Sequence, residues 1–510
     1  MNIMKYRISS IKYILIFIPF VFVVNNAIII EKFIKWFSDK GILDTTGLIA
    51  YMIVGLFLSI ALFTILAHKY IIKGFSIFIL ICSTAATYFI SKYDIAVDRS
   101  MILNVWYTDS TETLSLLSSD MALHILFLTV IPAIIIIRTK IIFDRPVKHS
   151  LKLIATFAIA IIIALAAVYL KFNSIHKAGN KSNKYIAYQI VPVNFLIGMG
   201  SAVKHYIKRN YKFDSAPVKI EGKVLSKDDL IVVLAIGEAA RQKSLSLYGY
   251  KRDTNPLLSQ KDDIFTLNGI AKYGSTIYAL PNILSRDDIK LPSITSALGI
   301  PTSCYSNFKL YGNCGTVKEV MVSNCGHGGK CYDEDVIPLL KKDLESYTSG
   351  QKMVVLHIGA GSHGPVYGDR FPPEFQYYKP RCTDPDVINN CTKEELYNSY
   401  DNSIRYMDYV VSNLIDTLEE IKKPYVFIYL SDHGESLLEE GRIFHGMPPG
   451  VDLPAEQAQV PLLIKSSMPI GIKKQEEYKQ QAIYDTILDL LSIETDLLRK
   501  DKVFIKKDTN

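Results

Sequence analysis

The chain has 510 residues, 49% of them hydrophobic and 21% charged, with a mean hydropathy of +0.18. That length exceeds one ordinary domain, and so apolar a composition excludes global disorder. The formal charge of +7 calls for no nucleic acid partner and fits weak attraction to anionic lipid. The excess apolarity sits at the front, in five runs: Tyr13–Ile30, Leu48–Ala67, Ile71–Ile90, Met121–Ile137 and Leu151–Leu170. Each is 17–20 residues long, enough to cross ~30 Å of hydrocarbon as a helix. The first run lacks a clear small-residue cleavage pattern and four more follow, so it reads as a retained anchor. Lys5, Arg7, Lys12, Lys69, Lys73, Arg138, Lys140, Arg145, Lys148 and Lys152 then share one side of the membrane. The short loops of the other side hold only Lys32, Lys35, Lys40, Lys92 and Arg99. The positive-inside rule makes the first side cytoplasmic, and five spans put everything after Leu170 outside the cytoplasm.

Residues 1–170 thus form a helical membrane domain. Residues 171–215 are polar and basic with short amphipathic pieces such as Tyr185–Tyr206. They either lie on the membrane surface as a bridge or serve as a linker. Residues 216–510 have another texture, with strand-like runs alternating with helical patterns. The runs Leu230–Ile236, Met353–Ile358, Tyr425–Leu430 and Val460–Ile464 are short and rich in β-branched and aromatic residues. This pattern predicts an α/β domain with a largely parallel sheet, whose ligands gather at the carboxyl ends of the strands.

Seven cysteines are present. Cys82 lies inside the third apolar run and reads as a small buried hydrophobe. The other six lie in the external domain, where an even count argues for disulfides. Sequential pairing, Cys304–Cys314, Cys325–Cys331 and Cys382–Cys391, is the simplest of the connectivities. A thiolate zinc site is the rival, disfavoured because no CxxC pair occurs.

The strand ends carry the chemistry. Leu230–Ile236 runs into Gly237-Glu238, and Tyr425–Leu430 into Ser431-Asp432-His433-Gly434-Glu435. Met353–Ile358 is followed by His363, and His445 lies in a Gly/Pro-rich loop. A lone acid after a strand is most often a helix cap, and a lone loop histidine is usually just solvated. Carboxylates and imidazoles aimed at one sheet edge instead suit Zn²⁺ or another divalent ion. The stretch Gly274–Pro281 offers hydroxyls ahead of a helical pattern. Thr276 there is either an N-cap or a nucleophile whose hydroxyl a metal activates.

These residues stand in strings that resemble the lipid A phosphoethanolamine transferases, including the mobile colistin-resistance enzymes. The strings are GEAAR with YGYKRDTNP (Tyr248–Pro256), STIYALP (Ser275–Pro281), SHGPVY (Ser362–Tyr367), SDHGES (Ser431–Ser436) and HGMPP (His445–Pro449). The resemblance covers nearly the whole chain. It implies a five-span α-helical transmembrane domain, a bridging segment and an α/β alkaline-phosphatase/sulfatase-like periplasmic domain. It implies that Glu238, Thr276, Asp432 and His433 hold zinc, with Thr276 also the nucleophile. His363 and His445 would bind the substrate phosphate or a further zinc, and Glu435 would contact the donor headgroup. Asn104, Thr108 and Glu112 match a triplet for the ethanolamine headgroup, and their i, i+4, i+8 spacing puts them on one helical face.

The implied reaction takes phosphoethanolamine from phosphatidylethanolamine to lipid A through a threonine-bound intermediate. The setting is an inner-membrane monomer, and the outcome is polymyxin resistance. Phosphoglycerol transfer by the same fold, another periplasmic acceptor, and a catalytically degenerate membrane-anchored binding protein are the alternatives. Three departures from the family stand out. Ala239 replaces its frequent Thr or Ser, the Cys of its CGTST string is absent before Thr276, and Cys314-Gly315-Thr316 replaces its Cys-Lys-Gly.

Overall fold

The computed structural model describes residues 6–39, 44–107, 118–181, 185–210, 220–323, 325, 330–359, 364, 367–384 and 386–507. The chain divides into two compact units, the first built on residues up to 212 and the second on residues from 213.

Five helices of the first unit are long and apolar enough to cross a membrane. With the short helix α4 they are α1 (Ser10–Asp39), α2 (Thr45–Leu66), α3 (Ile72–Tyr93), α4 (Arg99–Tyr107), α5 (Ser119–Arg138) and α6 (Pro146–Leu170). Hydrocarbon offers the backbone no hydrogen bonds, so a helix that satisfies its own is the favoured spanning form. The outer faces remain apolar where water would penalise them. On α6, Leu151, Ile154, Ile159, Ile162 and Leu165 all point outward. Such a band is a lipid-facing surface. Two short strands, β1 (Arg7–Ser9) and β2 (Lys140–Ile142), pair in parallel at the start of α1 and the end of α5.

Within the segment expected to be a surface bridge or a linker, residues 185–195 pack into the helical unit. Ile190, Val191 and Phe195 belong to the core of the helical unit. Asn26, buried in α1, donates to the Val191 carbonyl at 2.6 Å, and the Val191 amide donates back to its Oδ1 at 3.0 Å. Asn25 beside it accepts from Thr87 on α3 at 2.9 Å. The Val97 amide donates to the Tyr188 carbonyl, and Gln189 donates to Asp94. Helix α7 (Val193–Asn210) continues from this stitched segment.

The second unit is built on an eight-stranded sheet. Its strands are β3 (Leu230–Gly237), β4 (Phe265–Ile270), β5 (Thr302–Ser306), β6 (Glu319–Met321), β7 (Gln351–Ile358), β8 (Tyr425–Ser431), β9 (Gln459–Ser466) and β10 (Tyr478–Lys479), in the order β10-β4-β9-β8-β3-β7-β5-β6. The centre is parallel, and β9 runs antiparallel to β8 and β4. Every residue of β3, β7 and β8 is buried, which explains their largely apolar sequences, with Gln351, Lys352 and His357 of β7 the charged or amide exceptions. In register, Gly237 of β3 lies opposite Ser431 of β8 and Ile358 of β7. Three strands therefore end in one row. Helix α8 (Thr276–Leu284) contributes Leu280, Ile283 and Leu284 to the main core cluster. The long helix α9 (Lys393–Glu420) opens with a capping box between Thr392 and Glu395.

Disulfides join Cys325 to Cys331 and Cys382 to Cys391. The expected third bond, Cys304–Cys314, is not formed, and both residues are buried thiols. A hydrogen bond to Cys304, then burial, pushes the Cys314 thiol well up.

Candidate active site

The end of β3 turns sharply at Glu238 and Ala239. Ala239 adopts the left-handed conformation, φ 52°, and two elements hold it there. Its amide donates to Asp432 Oδ1 at 3.1 Å, and its carbonyl accepts from the Tyr400 hydroxyl of α9 at 2.8 Å. The Ala240 amide donates to Ser431 Oγ at 2.8 Å. Buried Arg241 closes the turn. It ion-pairs with Glu439 at 2.6 Å and lies over the rings of Tyr397 and Tyr400. Glu238 is thus fixed relative to the end of β8.

Beyond β8, Asp432 and His433 are fully buried. The His433 amide donates to Asp432 Oδ1, and its Nδ1 lies 3.0 Å from the Gly434 carbonyl. A proton on Nδ1 would donate there and leave Nε2 with a free lone pair, the arrangement of a metal-ligating imidazole. That Nε2 lies 3.3 Å from Glu238 Oε1 and 3.3 Å from Asp432 Oδ2. A Cβ on Gly434 would stand 2.1 Å from the Glu456 carbonyl oxygen, so only glycine lets the chain pass here.

Thr276 is the first residue of α8 and is buried. The N-cap position belongs to Ser275, so capping does not explain Thr276. Its Oγ1 donates to Glu238 at 3.0 and 3.1 Å and lies 3.5 Å from His433 Nε2. The hydroxyl sits where a helix N-terminus favours negative charge.

His445 joins this group. Its ring centroid lies 4.2 Å from that of His433. Ligand atoms of Glu238, His433 and His445 all lie within 4.8 Å of one another. Glu435 stands behind, fully buried, with one oxygen 2.6 Å from His445 Nδ1 and the other accepting from the Tyr367 hydroxyl at 2.7 Å. Each oxygen thus has a partner within the protein, and one of them holds the His445 ring. Burial, then the Glu435 carboxylate, pushes the Tyr367 hydroxyl well above its ordinary value and keeps it a donor.

Expected residues fall in different places. Glu238, Thr276, Asp432, His433, His445 and Glu435 come together. His363, Thr108 and Glu112 lie outside the described residues, and Asn104 lies on α4 with its side chain outside the description. One residue was missed. His357, fully buried near the end of β7, faces its Nδ1 to the Phe308 carbonyl at 2.6 Å and its Nε2 to Glu238 Oε2 at 4.0 Å. It was hidden inside an apolar run, and its polarity within that run was the only signal.

The residues fit a divalent metal. His357 Nε2 and Asp432 Oδ2 are buried without a hydrogen-bond partner, a costly state unless a further group joins them. Burial and then the Glu238 carboxylate push Asp432 up. Burial opposes charge on His433, but Asp432 and Glu238 outweigh it and raise that ring too. Carboxylates and imidazoles crowded in one buried space suit a cation with oxygen and nitrogen preferences. Cys325, Cys331 and Asp335 also cluster, but both sulfurs are spent in the disulfide.

Known proteins share this architecture. Residues 55–207 match the family described as Phosphoethanolamine transferase EptA/EptB, and residues 231–493 match the sulfatase family. Phosphoethanolamine transferase EptA of Escherichia coli K12 is 30% identical over 461 residues, 82% of each chain. Phosphatidylethanolamine transferase Mcr-1 of Escherichia coli is 26% identical, covering 96% of this chain and 97% of that one. The integral membrane protein lipooligosaccharide phosphoethanolamine transferase A from Neisseria meningitidis superposes over 98% of both chains, with a TM-score of 0.82 and 26% identity.

Proposed function

The chain belongs to the phosphoethanolamine transferases, and we propose that it carries phosphoethanolamine from phosphatidylethanolamine to lipid A through an ester on Thr276. The observation that carries the nucleophile is the Thr276 hydroxyl at a helix N-terminus, bonded to Glu238 beside His433 and not used as a cap. Glu238, Asp432 and His433, with Thr276 itself, would hold zinc, and His445 lies within reach of the same atoms. When bound, zinc supplies Lewis-acid charge that lowers the pKa of a hydroxyl and stabilises phosphoryl oxygens.

The protein's own groups do the rest. Thr276 Oγ1 forms a bond to phosphorus as the bond to the diacylglycerol oxygen breaks. The threonine gives up its proton, and the departing oxygen takes one. An acceptor oxygen of lipid A then attacks the same phosphorus, and the threonine hydroxyl is restored. His445, held by Glu435 and Tyr367, offers its remaining ring nitrogen to the phosphoryl oxygens, where most of the catalytic stabilisation in such transfers arises. His363 serves the same oxygens, and the face of Asn104, Thr108 and Glu112 takes the ethanolamine. The membrane unit keeps a lipid donor within reach. The setting is the inner membrane, with the second unit in the periplasm, a monomer as the working form and polymyxin resistance as the consequence. The named activity and lipooligosaccharide substrate of the Neisseria relative support the acceptor.

Mass spectrometry of lipid A from cells expressing the chain tests this reading. The expected result is a mass increment of one phosphoethanolamine group, lost in Thr276→Ala although that variant inserts and folds. A persistent increment in the variant would overturn the nucleophile. An unmodified lipid A in cells with active wild type would overturn the acceptor.

A further inference from the structure

The two ends of the helical unit differ in how their cations are satisfied. At the end carrying β1 and β2, side-chain contacts bring three segments together. Tyr13 donates to Ser76 at 2.7 Å, Lys73 donates to the Ile137 carbonyl at 2.8 Å, and Ser10 lies 3.3 Å from His149 Nδ1. Segments 6–12, 67–73 and 138–152 meet there, with nine Lys or Arg residues and one acid, Asp144. Lys148 and Lys152 gather around that acid, at 3.8 and 2.5 Å. Arg7, Lys12, Lys69, Arg138, Lys140 and Arg145 are exposed, and among the described residues none has a carboxylate partner. At the opposite end the pattern reverses. Lys92 pairs with Asp120 at 3.0 Å and Lys32 with Asp94 at 3.9 Å.

We propose that the β1–β2 end is a docking surface for anionic phospholipid, its centre the Arg7–Lys140 pair. Register sets these two cations directly opposite each other in the ladder. Like charges in that relation destabilise a sheet unless something neutralises them. Among the described residues no acid pairs with either of them. The position supplies one, because the surface lies at the ends of the spanning helices, where headgroups begin. A net-negative phosphodiester such as phosphatidylglycerol matches the unpaired cations, whereas a zwitterionic headgroup brings an ammonium that offsets its own phosphate.

The test uses the full chain released from mixed bilayers of phosphatidylglycerol and phosphatidylethanolamine, with retained lipid counted by native mass spectrometry. Wild type is expected to retain phosphatidylglycerol in clear excess over its bilayer share. Neutralising Arg7, Arg138 and Lys140 to Gln should cut the enrichment by about fivefold per cation removed. Neutralising Lys500 and Lys506 of the second unit should leave it unchanged. Equal retention of the two lipids by wild type, or an unaltered enrichment in the triple variant, would overturn the proposal. If the triple variant fails to insert, a salt series on wild type decides: enrichment should fall as ionic strength rises, and a flat response would count against a charged surface.

Discussion

Buried polar side chains serve opposite ends in the two units. In the helical unit, Asn25, Asn26 and Thr87 are buried with partners, and they tie helix to helix and helix to the 185–195 segment. At the sheet edge of the second unit, Asp432 and His357 are buried with an atom left unpartnered. The first arrangement spends polarity on architecture, where hydrocarbon penalises any open group. The second holds polarity open for something the chain does not itself supply. At the sheet edge it is an open atom beside other metal-ligand types, and not burial alone, that sets Asp432 and His357 apart.

Five substitutions can break or sharpen that contrast. Thr276→Ala should abolish transfer, by three orders of magnitude or more, with thermal unfolding of the second unit little changed; lipid A mass spectra and a melting curve read the two effects. Asp432→Asn should empty the site, so elemental analysis should find zinc in wild type and little in the variant; equal zinc in both would remove Asp432 from the ligand set. Glu435→Gln should lower turnover about 10–100-fold through a misoriented His445, with weaker resistance to chelator as an independent sign.

Asp408 supplies a pH test. Burial raises its carboxyl to about 6, while the amides of Leu257 and Leu258 pull it back. Its folded pKa lies above the unfolded value, so the native state holds the extra proton and stability falls as pH rises from about 4 to about 6. Relative to Asp408→Asn, wild type should lose roughly 2–3 kcal/mol across that window in denaturant melts. The smallest effect is expected in the membrane unit. Asn26→Leu removes both bonds to Val191 and should cost about 1–2 kcal/mol, read as earlier proteolysis within 185–195.

Much of this was legible in the sequence, for identifiable reasons. Spans announce themselves because hydrocarbon demands long apolar runs. The strand ends announced Glu238, Asp432 and His433 because acids and a histidine follow directly on apolar runs whose carboxyl ends gather ligands. Thr276 was ambiguous, since a helix start calls for a hydroxyl either way; the structure gives the N-cap position to Ser275 and sets the Thr276 hydroxyl against Glu238. His357 was masked by its apolar neighbours. Glu435 was recognised as a site residue, but sequence spacing cannot show that it also bonds Tyr367 and His445. The 185–195 segment looked like a bridge because its polar flanks outweighed the few residues, Ile190, Val191 and Phe195, that enter the core. The Cys304–Cys314 expectation rested on an even count and sequence order, which do not show whether two buried sulfurs are joined.

The row formed by Gly237, Ser431 and Ile358 makes the sheet a ruler. One step along a strand is about 3.3 Å and turns the side chain to the other face. A metal–ligand bond tolerates only about 0.2 Å. The tolerance of the site is therefore set by ladder pairing tens of atoms away. A substitution deep in β3, such as one at Val232 that shifts its pairing with β7 and β8, would register first as a loss of bound metal and only later as a loss of fold.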